Sequence, residues 1–145
     1  MKKISALAVL AFMLVFGLAL AGCKSEPDES PELTEIHVIT ESDMDSGNFF
    51  NYATTITARE YYYLRYEGHN PNADLTRYRI VLKQGATVLR DDERAFQTIQ
   101  PKSQNFMFNT GSYMIADSGT YTIEVYVVDA NGNKSNTVSV PLTVR

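Results

Sequence analysis

The chain has 145 residues, 44% of them hydrophobic and 11% aromatic, with no tryptophan and a single cysteine. Its 13 Lys+Arg against 17 Asp+Glu give a net charge of −4, which argues against nucleic acid and anionic headgroups as partners. One thiol excludes an internal disulfide, and the length allows one domain with one core.

Met1-Lys2-Lys3 is a short positive segment, and residues 4–20 are nearly all Ala, Leu, Val, Phe and Met. A charged start, an apolar stretch and a small-residue exit predict a secretory signal peptide over residues 1–22. Leu20-Ala21-Gly22-Cys23 resembles the bacterial lipobox. The resemblance implies that the Cys23 thiol receives a diacylglyceryl group, that the signal is cut just before it, and that acyl chains hold the protein on a membrane. The alternative is an uncleaved transmembrane helix, at the short end of the roughly 20 apolar residues needed to span a bilayer. Cleavage removes Lys2 and Lys3 and leaves 11 Lys+Arg against 17 Asp+Glu, a net charge of −6. Lys24 stands where an aspartate favours inner-membrane retention in Gram-negative lipoproteins, so the resemblance implies the outer membrane or cell surface.

Residues 23–32 form the lipidated cysteine and a tether, since residues 24–32 carry no apolar side chain except their two prolines. Such a segment cannot bury enough surface to offset the entropy of ordering it. Residues 33–145 are the domain, without an internal repeat or second linker, and the dominant pattern in it is period two. A first strand is expected over residues 35–40. A longer one is expected over residues 55–66, with Tyr62, Leu64 and Tyr66 inward and Tyr61, Tyr63 and Arg65 outward. His69-Asn70-Pro71-Asn72 reads as a turn, and residues 76–83 as a strand with Tyr78, Ile80 and Leu82 inward. Gln84-Gly85 turns into residues 87–90, and residues 105–109 place Phe106 and Phe108 on one face. Tyr121, Ile123, Val125 and Val127 fill the odd positions of residues 121–127 with large apolar side chains, and Val138, Val140, Leu142 and Val144 alternate with Thr137, Ser139, Pro141 and Thr143 in the same way. Between those two runs, Asn131-Gly132 favours the positive-φ turn of a hairpin. Pro141 cannot donate to a ladder, which predicts that the last strand is an edge strand or bulged. The fold class is therefore all-β, an antiparallel sandwich of about seven strands.

Asp117-Ser118-Gly119-Thr120-Tyr121 opens the penultimate strand and resembles the Asp-x-Gly-x-Tyr signature of immunoglobulin-like domains. The resemblance implies a tyrosine corner built by Asp117, Gly119 and Tyr121, in which the phenol bonds a backbone group a few residues upstream. Ile123 stands where antibody-type domains place a cysteine, Leu64 takes the partner position, and Tyr78 or Ile80 fills the volume of the missing tryptophan. The resemblance is therefore to the immunoglobulin-like and fibronectin-like modules of bacterial surface proteins.

His37 and His69 lie far apart in sequence, with no second ligand at metal spacing, so no metal and no cofactor is expected. Gly-x-Ser-x-Gly, the phosphate-loop motif and His-Glu-x-x-His are absent. Asp91, Asp92 and Glu93 are adjacent carboxylates, read as a solvated loop more readily than as a catalytic pair. Residues 129–133 resemble an oxygen-rich calcium loop but lack its bidentate glutamate, and residues 41–45 offer further carboxylates. The outward Tyr61, Tyr63 and Arg65 form a candidate binding face, since Tyr and Arg are enriched at binding hot spots. Arg77, Arg79 and Lys83 form a second, basic outward row. Both rows read more readily as cross-strand packing and a solvated face than as a binding surface. The absence of tryptophan counts against a carbohydrate ligand while leaving tyrosine platforms open, and no small-molecule ligand is expected.

These features predict a lipid-anchored, non-catalytic immunoglobulin-like module that docks another protein. A structural envelope component without a dedicated ligand is the alternative, and a carboxylate-dependent hydrolase the third.

Overall fold

A computed structural model describes residues 29–145. The signal segment, Cys23 and the tether up to residue 28 lie outside the described residues. The tether reading ends earlier than expected: Pro31 is buried and the first strand already begins at Glu32.

In chain order the elements are β1 (Glu32–Thr40), α1 (Glu41–Asp45), β2 (Thr55–Ile56), β3 (Tyr61–Asn70), β4 (Leu75–Gln84), β5 (Thr87–Gln100), β6 (Ser103–Met114), β7 (Gly119–Asp129) and β8 (Val138–Val144). Two sheets form, one of three strands ordered β1-β3-β6 and one of five ordered β2-β8-β7-β4-β5. All pairings are antiparallel except that of β2 with β8. The expected strand over residues 55–66 is two strands in different sheets. Residues 57–60 make the crossover between them, with Arg59 held at φ 66°. Alternation alone reads through that break because it reports which face a residue takes, not which sheet it joins. The turn expected at His69 starts later, since β3 runs on through Asn70.

The core lies between the sheets. Ile36 and Val38, Tyr62, Leu64 and Tyr66, and Phe106 and Tyr113 line one wall; Tyr78 and Ile80, Tyr121 through Val127 at alternate positions, Leu142 and Val144 line the other. Burying each of these side chains contributes on the order of 1.5–3 kcal/mol, which is why the alternating faces take these partners. Leu64 and Ile123, the positions at which the resemblance to antibody-type domains implies cysteines, are both fully enclosed apolar residues of this core. Tyr78 packs against Phe96 at 4.9 Å and Tyr66 at 6.1 Å between ring centroids. The buried phenols find partners: Thr110 donates to the Tyr66 hydroxyl at 3.1 Å and Tyr113 to that of Tyr78 at 3.4 Å.

Local chemistry fixes the connections. Gly132 takes φ 87° in the β7–β8 loop, while Asn131 stays at negative φ, so the loop is not a two-residue hairpin. Both carboxylate oxygens of buried Asp129 are engaged by Asn133, one by its backbone N–H at 2.8 Å and one by its side-chain amide at 3.2 Å. The loop that resembled a calcium site is thus stapled by its own hydrogen bonds. Pro141 faces Thr122 on β7, and β8 meets β2 only at Thr143 and Val144, so the proline sits on a stretch with no second neighbour. Gly68 on β3 has a structural reason: a Cβ there would collide with the Glu32 carbonyl and lie 2.7 Å from the Phe106 ring.

Candidate functional site

The outer face of the three-stranded sheet carries Glu35, His37 and Ile39 from β1, opposite Glu67, Arg65 and Tyr63 on β3. Met107 and Asn109 of β6 follow opposite Glu67 and Arg65. Alternation places all of these outside the core, yet Ile39 is fully buried and Arg65 is only 4% exposed. The cover is residues 41–54, which form a strap across the face on their way from β1 to β2.

The strap has a local start signal. Thr40 caps α1 by accepting from the Asp43 N–H at 3.2 Å and donates its own hydroxyl to the Asp43 carboxylate at 2.7 Å. Asn51 holds the other Asp43 oxygen at 2.9 Å, joining the two ends of the strap. These bonds, from Asn51 first and Thr40 second, hold the Asp43 carboxyl below its usual range. The segment read as a loop of spare carboxylates is a helical turn whose central acid is already engaged.

The strap then recrosses the sheet. Asn109 on β6 approaches the Met44 sulfur at 3.9 Å. Arg65 donates to the Phe49 carbonyl at 3.1 Å and to Glu67 at 3.2 Å, its guanidinium lies 4.4 Å from the Phe50 ring centroid, and it also touches the Met107 thioether. Tyr52 stacks flat on His37 at 3.6 Å, its hydroxyl 3.3 Å from Glu67, and Ala53 donates to the Val38 carbonyl at 2.8 Å. Partial burial first, then the Glu67 carboxylate, raise the Tyr52 phenol above its ordinary value. His37 in turn meets Glu35 at 2.8 Å.

The face expected at Tyr61, Tyr63 and Arg65 is therefore rearranged. Tyr61 is exposed and Tyr63 half-buried, but Arg65 lies beneath the strap as its support. What the surface presents instead is Phe50 at 68% exposure, with Phe49, Tyr52 and Met107 beside it. Sequence reading missed these aromatics. The available signals were the Thr40-x-x-Asp43 cap and a Phe49-Phe50 pair standing in a polar stretch.

The remaining candidates resolve into structural roles. Arg77 pairs with Glu93 at 2.6 Å, Arg79 with Asp91, and Lys83 with Glu124 at 2.6 Å, so the basic row on the five-stranded sheet is neutralised across strands. Asp92 points to the other side of β5, where Arg90 and Arg94 hold it at 2.5 and 3.1 Å over the Tyr113 ring. Asp91 and Asp92 thus do not share a cleft. Hydrogen bonds from Arg79 and Arg90 respectively lower both carboxyls, opposite to what a general acid needs. Among the described residues no three His, Asp or Glu side chains gather as a metal cage. The Tyr121 hydroxyl donates to the Asp117 carbonyl at 2.7 Å, the bond of a tyrosine corner.

No protein-family profile and no curated protein matches the chain. Solved structures do resemble it. One is the PKD domain of an M14-like peptidase from a Thermoplasmatales archaeon, 14% identical with a TM-score of 0.50 over 81% of this chain and 97% of that one. Another is the CARDB domain of a Pyrococcus furiosus protein, 11% identical with a TM-score of 0.41 over 84% and 95% of the two chains. The chain is an all-β, immunoglobulin-like sandwich.

Proposed function

We propose that this protein is a lipid-anchored, non-catalytic interaction module, with Cys23 carrying the lipid and the aromatic strap docking another protein. The observation that carries the docking role is Phe50, a large ring left 68% exposed and held in place from beneath by a buried arginine. Rigid aromatics over a satisfied polar support are what binding hot spots use, because little side-chain freedom is lost on contact. Charge supports a basic partner. Residues 29–70, which supply two of this sheet's three strands and the strap, hold eight Asp+Glu against two Arg, whereas residues 71–145, which include the uncharged β6, hold seven against eight Lys+Arg. A protein surface with an apolar centre and a Lys/Arg rim complements that distribution.

Lys24 after the anchor favours the outer membrane or cell surface. Anchoring is tested by fractionating cells expressing Cys23→Ala, which should move the protein out of the membrane fraction; retention there would count against the lipid. Docking is tested by in-cell crosslinking. Phe50→Ser should remove crosslinked species that Arg77→Ser, on the opposite face, leaves intact. If Phe50→Ser is silent while Cys23→Ala abolishes function, the chain is instead a structural envelope component.

A further inference from the structure

We propose that the chain pairs with a second copy of itself through β6, antiparallel about a two-fold axis passing through Met107. Strand β6 is an edge: it bonds β3 on one side and no described strand on the other. Free edges are normally blunted by charge or proline. The other long edges obey that rule, β1 with Glu32 and Glu35 and β5 with five consecutive charges from Arg90 to Arg94. Over its whole length, Ser103–Met114, β6 has neither a charged residue nor a proline.

The sequence at its centre is a palindrome, Asn105-Phe106-Met107-Phe108-Asn109. Antiparallel pairing about Met107 sets Met107 against Met107, Phe106 against Phe108 and Asn105 against Asn109 of the second copy. Asn is one of the few side chains that can donate and accept with its own kind. Asn105, Met107 and Asn109 are exposed, and Met107 retains 53% of its surface, so the central residues on that face are free to be covered. Pairing with β3 is regular from Phe106 to Thr110, and the irregularities fall outside this stretch, leaving a straight template. On the inner side a cleft of about 300 Å³ lies between β5 and β6, lined by Tyr78, Phe96 and Thr110 among others, open to side chains of an added strand. Strand β5 shows the opposite design. A two-fold through Asp92 would oppose Asp92 to Asp92, Asp91 to Glu93 and Arg90 to Arg94, which is repulsive at every pair.

The test uses the full chain in mild detergent with Cys23→Ser, so that introduced thiols are the only ones. Because residues 4–20 are strongly apolar, the register of a crosslink decides, not mass alone. With Met107→Cys the two thiols face each other directly, within disulfide reach, and a disulfide-linked dimer should form on mild oxidation. With Asn105→Cys the two thiols are about 13 Å apart along the strands, and crosslinking should be at least about tenfold slower. Combining Asn105→Cys with Asn109→Cys should restore it. No crosslink at Met107, or equal crosslinking at Asn105 alone, overturns the proposal, as does a chain that sediments as a monomer at every accessible concentration. A second protein captured on β6 in place of a second copy also overturns it.

Discussion

Replacing Arg65 by methionine tests whether the strap is supported from below. Methionine keeps most of the stem's volume, so the change removes chemistry with little loss of packing. Three interactions go: the bond to Glu67 at 3.2 Å, the bond to the Phe49 carbonyl at 3.1 Å, and the cation–π contact with Phe50 at 4.4 Å. Hydrogen bonds to charged groups contribute about 1.5–3 kcal/mol each, but Glu67 is partly exposed and regains water, which puts its loss at the low end. The cation–π contact adds about 0.5–1 kcal/mol because Phe50 itself faces solvent. The expected loss is about 3.5–5.5 kcal/mol, or roughly 15 °C in Tm for a domain of this size. Urea unfolding followed by far-UV circular dichroism reads the loss as a lower midpoint at unchanged slope. Hydrogen exchange at the Ala53 N–H, which bonds Val38, reads whether the strap has opened locally. Arg65→Glu should be worse, because it sets a third carboxylate beside Glu67 and Glu35. An Arg65→Met midpoint within about 0.5 kcal/mol of wild type, with Ala53 equally protected, would refute the reasoning and return Arg65 to the ranks of ordinary surface residues.

The other predictions concern the sandwich. Gly68→Ala should lower stability by about 1–3 kcal/mol in the same urea assay, because its methyl group must displace the Glu32 backbone and the Phe106 ring. Tyr121→Phe should cost about 1 kcal/mol, while Asp117→Ala should cost little, since the phenol bonds the main-chain carbonyl and not the carboxylate. Burial raises the Tyr62 phenol to about 12, and burial likewise pushes those of Tyr66 and Tyr113 well above their ordinary value. Their folded-state values lie above the unfolded one near 10, so this stability is fully present below pH 10 and is lost as pH climbs towards 12 and beyond, by about 1.4 kcal/mol per pH unit for each such phenol. Tm measured from pH 9 to 12 should fall steeply above 10, and phenolate absorbance should appear together with unfolding; phenolate rising smoothly in a still-folded protein would contradict the assignment.

What the sequence disclosed and what it withheld divide along a physical line. The inward faces of β3, β4 and β7 were legible because period two decides which side of a sheet a residue takes. The bond from Tyr121 to Asp117 was legible because it closes within one turn of chain. Arg65 was assigned its face correctly and its exposure wrongly, because exposure depends on what lies over the face, and here that is Phe49 and Phe50, sixteen and fifteen residues upstream. The split between β2 and β3 was hidden for a similar reason: changing sheets requires only a left-handed residue at Arg59, and an arginine does not advertise one.

The strap is also longer than its connection requires. Passing from one sheet to the other takes a handful of residues, and connections in compact domains commonly run about four to six. This chain spends residues 41–54 on the passage and folds the excess back over β1, β3 and β6. Ordering that excess costs about 1–2 kcal/mol per residue in backbone entropy, a cost a plain connector would avoid. The bonds that offset it come from residues otherwise destined for solvent: Asp43 to Asn51, Arg65 to Phe49, His37 against Tyr52. Their combined effect leaves Phe50 outward when burying it was the cheaper use of a phenylalanine. An ordered detour that leaves an aromatic ring exposed is the observation on which the proposed docking role rests, in place of the tyrosine row beside it.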